Sequence, residues 1–309
     1  MTGSPVTTNR IGVDVGGTKI ESVLLDQHCH VVDSTRIPSP QGNNAVRDGI
    51  VASVRTLLAS PHIDSSAATT VGIGVPGQVD SVNGIITSAV NLGIESMALT
   101  DEVSHALSGL RVHAENDVNA AALGAAQSVA VDSQQPAKVV FINFGTGLAC
   151  GVVLEGRLLN GATGSIGELG HVPVEPHGLP CMCGQHGCLE TVASGGAIER
   201  LWPCEGPALP DMIAKAARGD RKAQETLDMI LDGMVTVIQL AAQAYDPDLL
   251  LLGGGVTKTG QPLMDLLKSR FQEKARHSAF LDTIRIDKRL RLIDPGEPIG
   301  AIGAALSID

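Results

Sequence analysis

Three short apolar runs end in clusters of glycine, and this repeated pattern constrains the fold more than any other feature of the chain. The runs with their turns are residues 11–15 with Gly16-Gly17, residues 138–144 with Gly145-Thr146-Gly147, and residues 249–252 with Gly253-Gly254-Gly255. Short apolar runs bounded by turn residues predict buried strands. Glycine at a strand end permits a tight turn and lets backbone N–H groups approach a ligand closely. The pattern therefore predicts strands whose ends carry phosphate-binding turns.

The first two runs each open a similar series: strand, glycine turn, two more strands, then alternating helices and strands. Predicted strands span residues 11–15, 21–25, 31–37, 70–75, 111–114, 138–144, 149–154, 157–159, 249–252 and a segment near 284–286. Predicted helices span residues 43–59, 101–108, 116–129, 209–217, 220–245, 262–278 and 300–306. The repetition predicts two similar α/β lobes. We place them at residues 1–122 and 123–309, and the last helix is a candidate to pack back on the N-terminal lobe.

Composition argues against several classes of protein. The 309 residues are enough for two lobes, and 43% of them are hydrophobic. A net charge of −11 argues against nucleic acid as a partner. No run of about 18 apolar residues is seen, and the start of the chain lacks an apolar core, so neither a membrane partner nor a signal peptide is predicted. Three of the six cysteines fall within residues 181–188, which suits a metal site in a reducing cytoplasm better than disulfides.

The segment Asp14-Val-Gly-Gly-Thr-Lys19 combines an acid, two glycines, a hydroxyl and a lysine at one strand end. The glycines can bring N–H groups against phosphate oxygens, Thr18 can donate a hydrogen bond, and Asp14 can hold Mg²⁺ directly or through water. The segment matches neither the P-loop nor the dinucleotide-binding glycine pattern, since further strand follows it instead of a helix. An ordinary β-hairpin turn is the alternative interpretation.

One imidazole and three thiols fall in a short stretch, from His171, Cys181, Cys183 and Cys188. Four such ligands make a closed tetrahedral zinc site, whose role is to hold a loop rather than to catalyse. His177 and His186 are further candidate ligands in the same region. A loop of reduced cysteines without metal is the alternative interpretation.

Asp117 follows a predicted strand and stands with Asn116 at the start of an alanine-rich helix. A carboxylate there can take a proton from a substrate hydroxyl, and Asn116 can bond the same substrate. N-capping of the helix is the alternative for both residues. Glu168 and Glu190 flank the cysteine cluster, where they either hold vicinal hydroxyl groups or are solvated loop acids.

Together these residues resemble the ROK family (repressors, open reading frames and kinases) of the actin-like ATPase superfamily, over about residues 11–306. Asp14–Lys19 resembles the family's first phosphate motif, and Glu115-Asn-Asp-Val-Asn-Ala120 resembles its catalytic motif. Gly167-Glu-Leu-Gly-His171 followed by Cys181-x-Cys183-Gly-x-x-Gly-Cys188-Leu-Glu190 resembles its signature. The resemblance implies an α/β, actin-like (ribonuclease H-like) duplicated two-lobe ATPase fold and an ATP-dependent sugar kinase.

The resemblance also implies a role for each candidate residue. Asp117 is the general base that activates the 6-hydroxyl of a hexose. The sugar is held by Gly77, Asn116, Asp117, Glu168, His171 and Glu190. A structural zinc is bound by His171, Cys181, Cys183 and Cys188. ATP, with Mg²⁺, is bound by Asp14, Gly16, Gly17, Thr18, Lys19, Gly145, Thr146, Gly147, Gly254 and Gly255.

Two departures from the family pattern bear on the ligands. The second phosphate motif usually reads Gly-Thr-Gly-Ile-Gly-Gly-Gly and here reads Gly145-Thr-Gly-Leu-Ala-Cys-Gly151. Val90 and Ile94 replace the proline and tryptophan that often flank Asn91-Leu-Gly, which loosens the assignment to glucose. Glucose leads the expected substrates and N-acetylmannosamine is the nearest alternative. Fructose, mannose, allose and N-acetylglucosamine stay open, and so does polyphosphate as the donor.

A transcriptional repressor and a catalytically silent sugar sensor are the alternatives to a kinase. A repressor needs a DNA-binding domain ahead of Asp14. Only thirteen residues precede Asp14 in this sequence, which argues against a repressor. Asp14, Thr18 and Asp117 are all retained, which favours catalysis over sensing. The family resemblance further implies a homodimer or homotetramer.

Overall fold

The structure is a computed structural model that describes residues 8–130 and 136–308. These residues divide into two compact units. Unit one contains residues 8–130, 156–166 and 298–308, and unit two contains residues 136–155 and 167–297. Each unit is built around its own sheet and its own hydrophobic core.

The strands are β1 (Thr8–Val15), β2 (Lys19–Leu25), β3 (Val31–Pro38), β4 (Ala68–Val75), β5 (Gln78–Asp80), β6 (Ile85–Ala89), β7 (Ile94–Met97), β8 (Arg111–Asn116), β9 (Lys138–Phe144), β10 (Leu148–Leu154), β11 (Arg157–Leu158), β12 (Leu249–Gly253) and β13 (Leu290–Leu292). The helices are α1 (Asn43–Leu58), α2 (Leu99–Ala106), α3 (Asp117–Ser128), α4 (Glu190–Ala193), α5 (Gly195–Leu201), α6 (Ala208–Ala217), α7 (Arg221–Tyr245), α8 (Gln261–His277), α9 (Ala279–Ile284), α10 (Ile286–Arg289) and α11 (Ile299–Leu306). Short 3₁₀ turns lie at Val90–Leu92, Leu169–His171 and Gly255–Thr259.

The main sheet of unit one has the strand order β3-β2-β1-β4-β8. β1 and β2 form an antiparallel hairpin around the first glycine turn, whereas β1, β4 and β8 run parallel. Side chains alternate between the two faces of a strand, so Leu24 faces the core formed with α1 and α2 while Val23 and Leu25 pack against α11. A small antiparallel sheet, β5-β6-β7, belongs to the same unit.

Helix α11 packs closely on unit one because glycines face its backbone. A Cβ atom added at Gly12 of β1 would lie 1.8 Å from the carbonyl oxygen of Ala301. A Cβ atom added at Gly303 of α11 would lie 1.6 Å from the carbonyl oxygen of Ala120 in α3. Similar contacts occur at Gly72 and Gly124. Helix α11 therefore contacts β1, β4 and α3 through main-chain atoms, which only glycine allows.

Unit two contains the neighbouring strands β10-β9-β12-β13. β9 and β10 form an antiparallel hairpin around the second glycine turn, and β12 and β13 run parallel to β9. This is the strand arrangement of β2-β1-β4-β8 in unit one. The predicted duplication of an α/β element is therefore confirmed.

Helix α7 forms the centre of the unit-two core. Within the described residues it is the helix that is long and apolar enough to cross a membrane, by length and composition alone. In the structure 56% of its most apolar 18-residue segment is buried, and Ile230, Met234 and Ile238 are fully buried in the core. Burial against its own unit identifies α7 as a core helix.

The strand predicted near residues 284–286 is wrong. Ile284 ends α9, Arg285 adopts a left-handed conformation with a φ of 47°, and Ile286 begins α10. Ser278 caps α9 by accepting the N–H of Leu281 at 3.3 Å, and a capped start favours a helix. An alternation of only two isoleucines did not distinguish these short helices from a strand. The strand of this region is β13.

Two further features differ from the sequence-based prediction. The boundary placed at residue 122 falls inside α3, the whole of which lies in unit one. The small sheet β5-β6-β7 and the short helices α4 and α5 were not predicted. Elements of three to seven residues contain too few turns or alternations to stand out from a loop.

Candidate active site

The carboxyl ends of three parallel strands bring the first group of predicted residues together. The register places Asp14 of β1 beside Gly74 of β4, and Gly74 beside Glu115 of β8. Asp117 follows β8 directly as the first residue of α3. A Cβ atom added at Gly74 would lie 3.8 Å from the Cα of Asp117, an ordinary contact distance, and 3.1 Å from the Cβ of Ala120, a tight one. Asp14 and Asp117 therefore lie near each other at one edge of the sheet.

The two carboxyl groups have raised pKa values. Burial and, to a smaller extent, the negative charge of Asp117 raise the pKa of Asp14 to about 7, although Lys19 opposes the shift. Burial also raises the pKa of Asp117, while a hydrogen bond from the N–H of Val118 lowers it. Neighbouring carboxylates in such surroundings favour a bound proton or a cation. The pair is suited to hold a divalent cation at Asp14 and to accept a proton at Asp117.

The first glycine turn is a hairpin turn whose tip is exposed. The N–H of Gly16 donates to the carbonyl of Lys19 at 2.9 Å, which closes the turn. Gly17 and Thr18 are exposed at its tip. The ammonium group of Lys19 pairs with Glu21 at 2.6 Å. The hairpin interpretation and the phosphate-binding interpretation are therefore compatible, because the exposed atoms of the tip are those assigned to phosphate.

Asn116 caps α3 and also contacts another predicted sugar residue. Its Oδ1 accepts the N–H groups of Val118 at 2.9 Å and Asn119 at 3.2 Å. Its Nδ2 donates to the carbonyl of Gly77 at 3.2 Å. A side-chain amide has two N–H donors, so one remains for a ligand. Gly77 has a φ of 98°, and a Cβ atom there would lie 2.7 Å from the carbonyl oxygen of Thr87.

Glu115 is a functional candidate that sequence reasoning did not assign to the site. It is a buried side chain, 5% exposed. Its Oε1 accepts the N–H of Asn116 at 2.9 Å and Nδ2 of Asn119 at 3.0 Å, and its Oε2 accepts Ser81 Oγ at 3.3 Å. Glu115 therefore fixes the peptide that precedes Asp117. The sequence did contain a signal for Glu115, because Glu115 and Asn119 belong to the Glu-Asn-Asp-Val-Asn motif around Asp117.

The second glycine turn, in unit two, repeats the exposure pattern of the first. Gly145 is half-buried, and Thr146 and Gly147 are exposed at the tip between β9 and β10. The carbonyl of Gly145 accepts the N–H of Gly195 at 2.7 Å, and that of Thr146 accepts the N–H of Gly196 at 3.2 Å. The turn is therefore held against the start of α5. The Ser-Gly-Gly sequence that opens this helix was a signal that sequence reasoning missed.

Glu190 lies against the second glycine turn. Its Oε2 accepts the N–H of Leu148 at 2.9 Å. The same oxygen would lie 2.9 Å from a Cβ atom added at Gly147. Glu190, predicted as a sugar ligand, is thus fixed beside residues that were predicted to bind phosphate. A side chain at position 147 would displace this carboxylate.

The predicted adenosine residues lie beside the second turn in the same unit. Gly254 has a φ of 92°, and a Cβ atom there would lie 2.4 Å from the carbonyl carbon of Phe144. Its carbonyl accepts Thr257 Oγ1 at 2.8 Å. A Cβ atom at Gly255 meets no atom of the described residues within 4 Å. Gly254 therefore packs on the end of β9, and the space next to Gly255 is open.

Glu168 and His171 form a pair at the surface of unit two. Glu168 Oε2 lies 3.9 Å from Nε2 of His171, and the two side chains are 48% and 36% exposed. The other ring nitrogen of His171, Nδ1, lies 3.7 Å from Sγ of Cys181. His171 therefore presents one nitrogen to the cysteine cluster and the other to Glu168.

The four predicted metal ligands come together. The ligand atoms of His171, Cys181, Cys183 and Cys188 all lie within 4.8 Å of one another. The Sγ atoms of Cys183 and Cys188 are 3.7 Å apart. A tetrahedral zinc ion with Zn–S bonds of about 2.3 Å separates its sulfurs by about 3.8 Å, so the donor set and its spacing fit zinc. His177 and His186 are outside the group.

The predicted site residues thus gather in two groups, one in each unit. Unit one holds Asp14, Gly16, Gly17, Thr18, Lys19, Gly77, Asn116 and Asp117. Unit two holds Gly145, Thr146, Gly147, Glu168, His171, Cys181, Cys183, Cys188, Glu190, Gly254 and Gly255. Each group combines a glycine turn at a strand end with carboxylate side chains beside it.

Comparison with known proteins assigns the family. The model of the ROK family matches residues 10–307. The chain belongs to the ROK family. This ROK protein is 32% identical to the glucokinase of Halalkalibacterium halodurans over 314 residues, which cover 95% of this chain and 92% of the relative. It is 31% identical to the N-acetyl-D-glucosamine kinase of Pectobacterium atrosepticum, with 86% and 93% of the two chains covered.

Solved structures of ROK proteins share the fold. The ROK hexokinase from Thermus thermophilus is 28% identical to this ROK protein, with a TM-score of 0.81 and 97% of each chain covered. A ROK family glucokinase from Streptomyces griseus, in complex with glucose and AMPPNP, is 29% identical with a TM-score of 0.75, and 96% and 98% of the two chains are covered. The predicted family and the actin-like duplicated fold are confirmed.

Proposed function

We propose that this ROK protein transfers the γ-phosphoryl group of ATP to the 6-hydroxyl of a hexose, with glucose as the leading substrate. The observation that carries the proposal is the position of Asp117, at the carboxyl end of β8 beside Asp14 and the Gly16–Thr18 turn. A proton acceptor next to a phosphate-binding turn is what transfer to a hydroxyl group requires. The names of its relatives, glucokinase and hexokinase, support the same reaction.

In this proposal each residue of unit one has a defined task. Asp117 accepts the proton of the attacking hydroxyl, and its raised pKa makes it a better base than an ordinary aspartate. The second N–H of the Asn116 amide donates to the sugar. N–H groups of the exposed turn tip receive phosphate oxygens. Asp14 would hold Mg²⁺, which neutralises charge on the transferring phosphoryl group when bound.

In unit two, the carboxylates of Glu168 and Glu190 accept hydrogen bonds from sugar hydroxyl groups, and the imidazole of His171 donates one. The turn at Gly145–Gly147 binds phosphate. Adenosine lies against Gly254 and Gly255, and the space next to Gly255 is open to receive it. We further propose that the cluster of His171 and three cysteines binds zinc, which holds the loop that carries these ligands.

An N-acetylhexosamine is the second candidate substrate. The relative named N-acetyl-D-glucosamine kinase is 31% identical, close to the value for the glucokinase. Val90 and Ile94 stand where related kinases often have proline and tryptophan. Both substrates carry a 6-hydroxyl group, so the proposed chemistry is the same. Cysteines without disulfides agree with a cytoplasmic location, and we expect a homodimer or homotetramer from the family.

The test is an ADP-release assay over a panel of hexoses and N-acetylhexosamines, with the position of the new phosphate read by NMR. We expect the highest kcat/KM with glucose and phosphorylation at the 6-position. A higher kcat/KM with an N-acetylhexosamine would select the second candidate. Absence of ADP release with every sugar would remove the kinase proposal.

Asp117→Asn tests the role of the base. We expect this variant to lose at least about 100-fold in kcat, the usual effect of removing a general base, while sugar binding measured by calorimetry persists. Asp101→Asn is the matched control, since Asp101 is an exposed aspartate in the first turn of α2. Near-normal turnover of Asp117→Asn would show that another group accepts the proton.

A further inference from the structure

Gly167 occupies the centre of a tight arrangement just before Glu168. Its φ is 90°, and a Cβ atom there would lie 1.8 Å from the carbonyl oxygen of Cys150. Its own carbonyl accepts the N–H of Leu169 at 2.7 Å. Glu168, between them, has φ −72° and ψ 44°. This is the geometry of an inverse γ-turn centred on Glu168, so the direction of that side chain depends on where the Gly167 carbonyl is held.

Cys150 holds that carbonyl with two donors. Its N–H donates at 2.8 Å and its thiol donates at 3.3 Å, both to the carbonyl oxygen of Gly167. The thiol is buried, 2% exposed. Burial and the charge of Glu168 raise the pKa of this thiol to about 12, so it stays protonated and remains a donor. The family pattern has glycine at this position, and a glycine there would supply the N–H but no side-chain donor.

Tyr245 holds the other side of the same residue. Burial raises the pKa of the Tyr245 hydroxyl and the N–H of Gly167 opposes this shift, so the hydroxyl of this last residue of α7 lies toward that N–H. Its ring is packed against the core of unit two. The Gly167 carbonyl is therefore fixed by Cys150 of β10, and the Tyr245 hydroxyl at the end of α7 lies on the N–H side of the same residue.

We propose that Cys150 and Tyr245 are positioning residues that hold Gly167 and thereby direct the Glu168 carboxylate toward the sugar. The proposal rests on the proposed function in one respect, the assignment of Glu168 as a sugar ligand. Neither residue contacts the sugar. Their effect is expected on sugar affinity rather than on the phosphoryl-transfer step, because Asp117 and the glycine turns are untouched.

The kinetic test compares Cys150→Ala with wild type. Loss of one hydrogen bond is expected to raise the KM for sugar by about threefold to tenfold, with kcat and the KM for ATP changed by less than about twofold. Cys150→Ser keeps a donor and is expected to restore the sugar KM, and Tyr245→Phe is expected to raise it. Cys204→Ala is the matched control, since its thiol also points to a glycine carbonyl, that of Gly206 at 3.7 Å, outside this arrangement. Parallel changes in kcat and both KM values would overturn the proposal.

A double-mutant cycle with Glu168→Gln tests whether the effect passes through the carboxylate. If Cys150 acts by directing Glu168, Cys150→Ala adds less than about twofold to the sugar KM once Glu168 is replaced. If the increases in sugar KM from the two single substitutions multiply in the double variant, Cys150 acts independently of Glu168, and the proposal would fail.

Hydrogen exchange supplies a readout that does not need a sugar. We expect Cys150→Ala and Tyr245→Phe to increase amide exchange in a peptide covering residues 166–172, with wild-type zinc content. Unchanged exchange there would contradict the proposal even if sugars are phosphorylated. If wild type phosphorylates no sugar but the exchange increases, the positioning of Gly167 stands and the proposed function fails, so the two failures are distinguishable.

Discussion

Asp14 is a carboxylate whose surroundings oppose its charge. Burial, followed by the negative charge of Asp117, raises its pKa from an ordinary 3.8 to about 7. The folded protein therefore keeps a proton on Asp14 at pH values where the unfolded chain has lost it. A residue that destabilises the ligand-free fold is expected where function needs its charge, and a cation at Asp14 would relieve the repulsion.

Replacing Asp14 should therefore stabilise the ligand-free protein at high pH. Below pH 3.8 the carboxyl group is protonated in both folded and unfolded states and contributes no difference. As pH rises from about 4 to about 7, the unfolded chain releases the proton first, so stability falls. Asp14→Asn is expected to melt at a higher temperature than wild type at pH 8 in the presence of a chelator, and at a similar temperature near pH 3.5.

Glu21 provides the control of opposite sign. Burial raises the pKa of Glu21, but hydrogen bonds from Lys19 and Arg36 outweigh it and the pKa is lowered. Glu21→Gln is therefore expected to lower the melting temperature at pH 8. If Asp14→Asn also melts at a lower temperature than wild type at pH 8, the pKa of the Asp14 carboxyl group is not raised by burial.

Sequence reasoning identified residues at this scale better than it identified their partners. Asp117 and Asn116 stood out because an acid and an amide open a helix after a strand. The helix-capping role and the substrate role were alternatives for Asn116, and the structure shows that one amide group caps α3 and keeps a donor. The hydrogen bond from Ser81 to Glu115 joins residues 34 positions apart, and no local pattern encodes such a contact.

At the scale of elements, α11 depends on glycine at its contacts with β1, β4 and α3. Gly303→Ala is expected to destabilise the protein by at least about 1–3 kcal/mol, because the new Cβ would lie 1.6 Å from the carbonyl oxygen of Ala120. The result is measured by denaturant unfolding. Gly255→Ala serves as the stability control, since a Cβ there meets nothing within 4 Å. Equal stability of the two variants would contradict the close packing of α11.

The cysteine loop makes a second prediction for an element. Purified protein is expected to hold one zinc per chain, and Cys183→Ser is expected to lose it, because four ligands are needed to close the site. Metal analysis by mass spectrometry measures both. Cys204→Ser is the control outside the cluster. Protein without zinc, together with Cys183→Ser that folds normally, would remove the metal from the proposal.

Elements with many residues were predictable, and short ones were not. The long periodic segment of α7 was placed at 220–245 and is observed at Arg221–Tyr245. The segment near 284–286 was assigned to a strand, although a serine cap and a left-handed Arg285 make it two short helices. A capping hydrogen bond can decide the structure of a six-residue helix, and hydropathy alone does not report it.

At the scale of the whole molecule, two sheets of the same strand arrangement each present a glycine turn at the end of a hairpin. The repeat was visible in the sequence because both hairpins begin with a buried strand and a glycine turn. The assignment of residues to units was less accessible. The boundary placed at residue 122 falls inside α3, whereas the last helix was named as a candidate to pack on the N-terminal lobe, and residues 298–308 do belong with unit one.

That arrangement has a consequence for synthesis on the ribosome. Strands β1 and β2 emerge first, yet Val23 and Leu25 are covered by Ala301, Ile302 and Ala305, which are translated after the whole of unit two. A nascent chain therefore carries an uncovered apolar surface at its oldest strands during most of translation. Unit one completes this part of its core only when α11, which follows unit two in the chain, has been made.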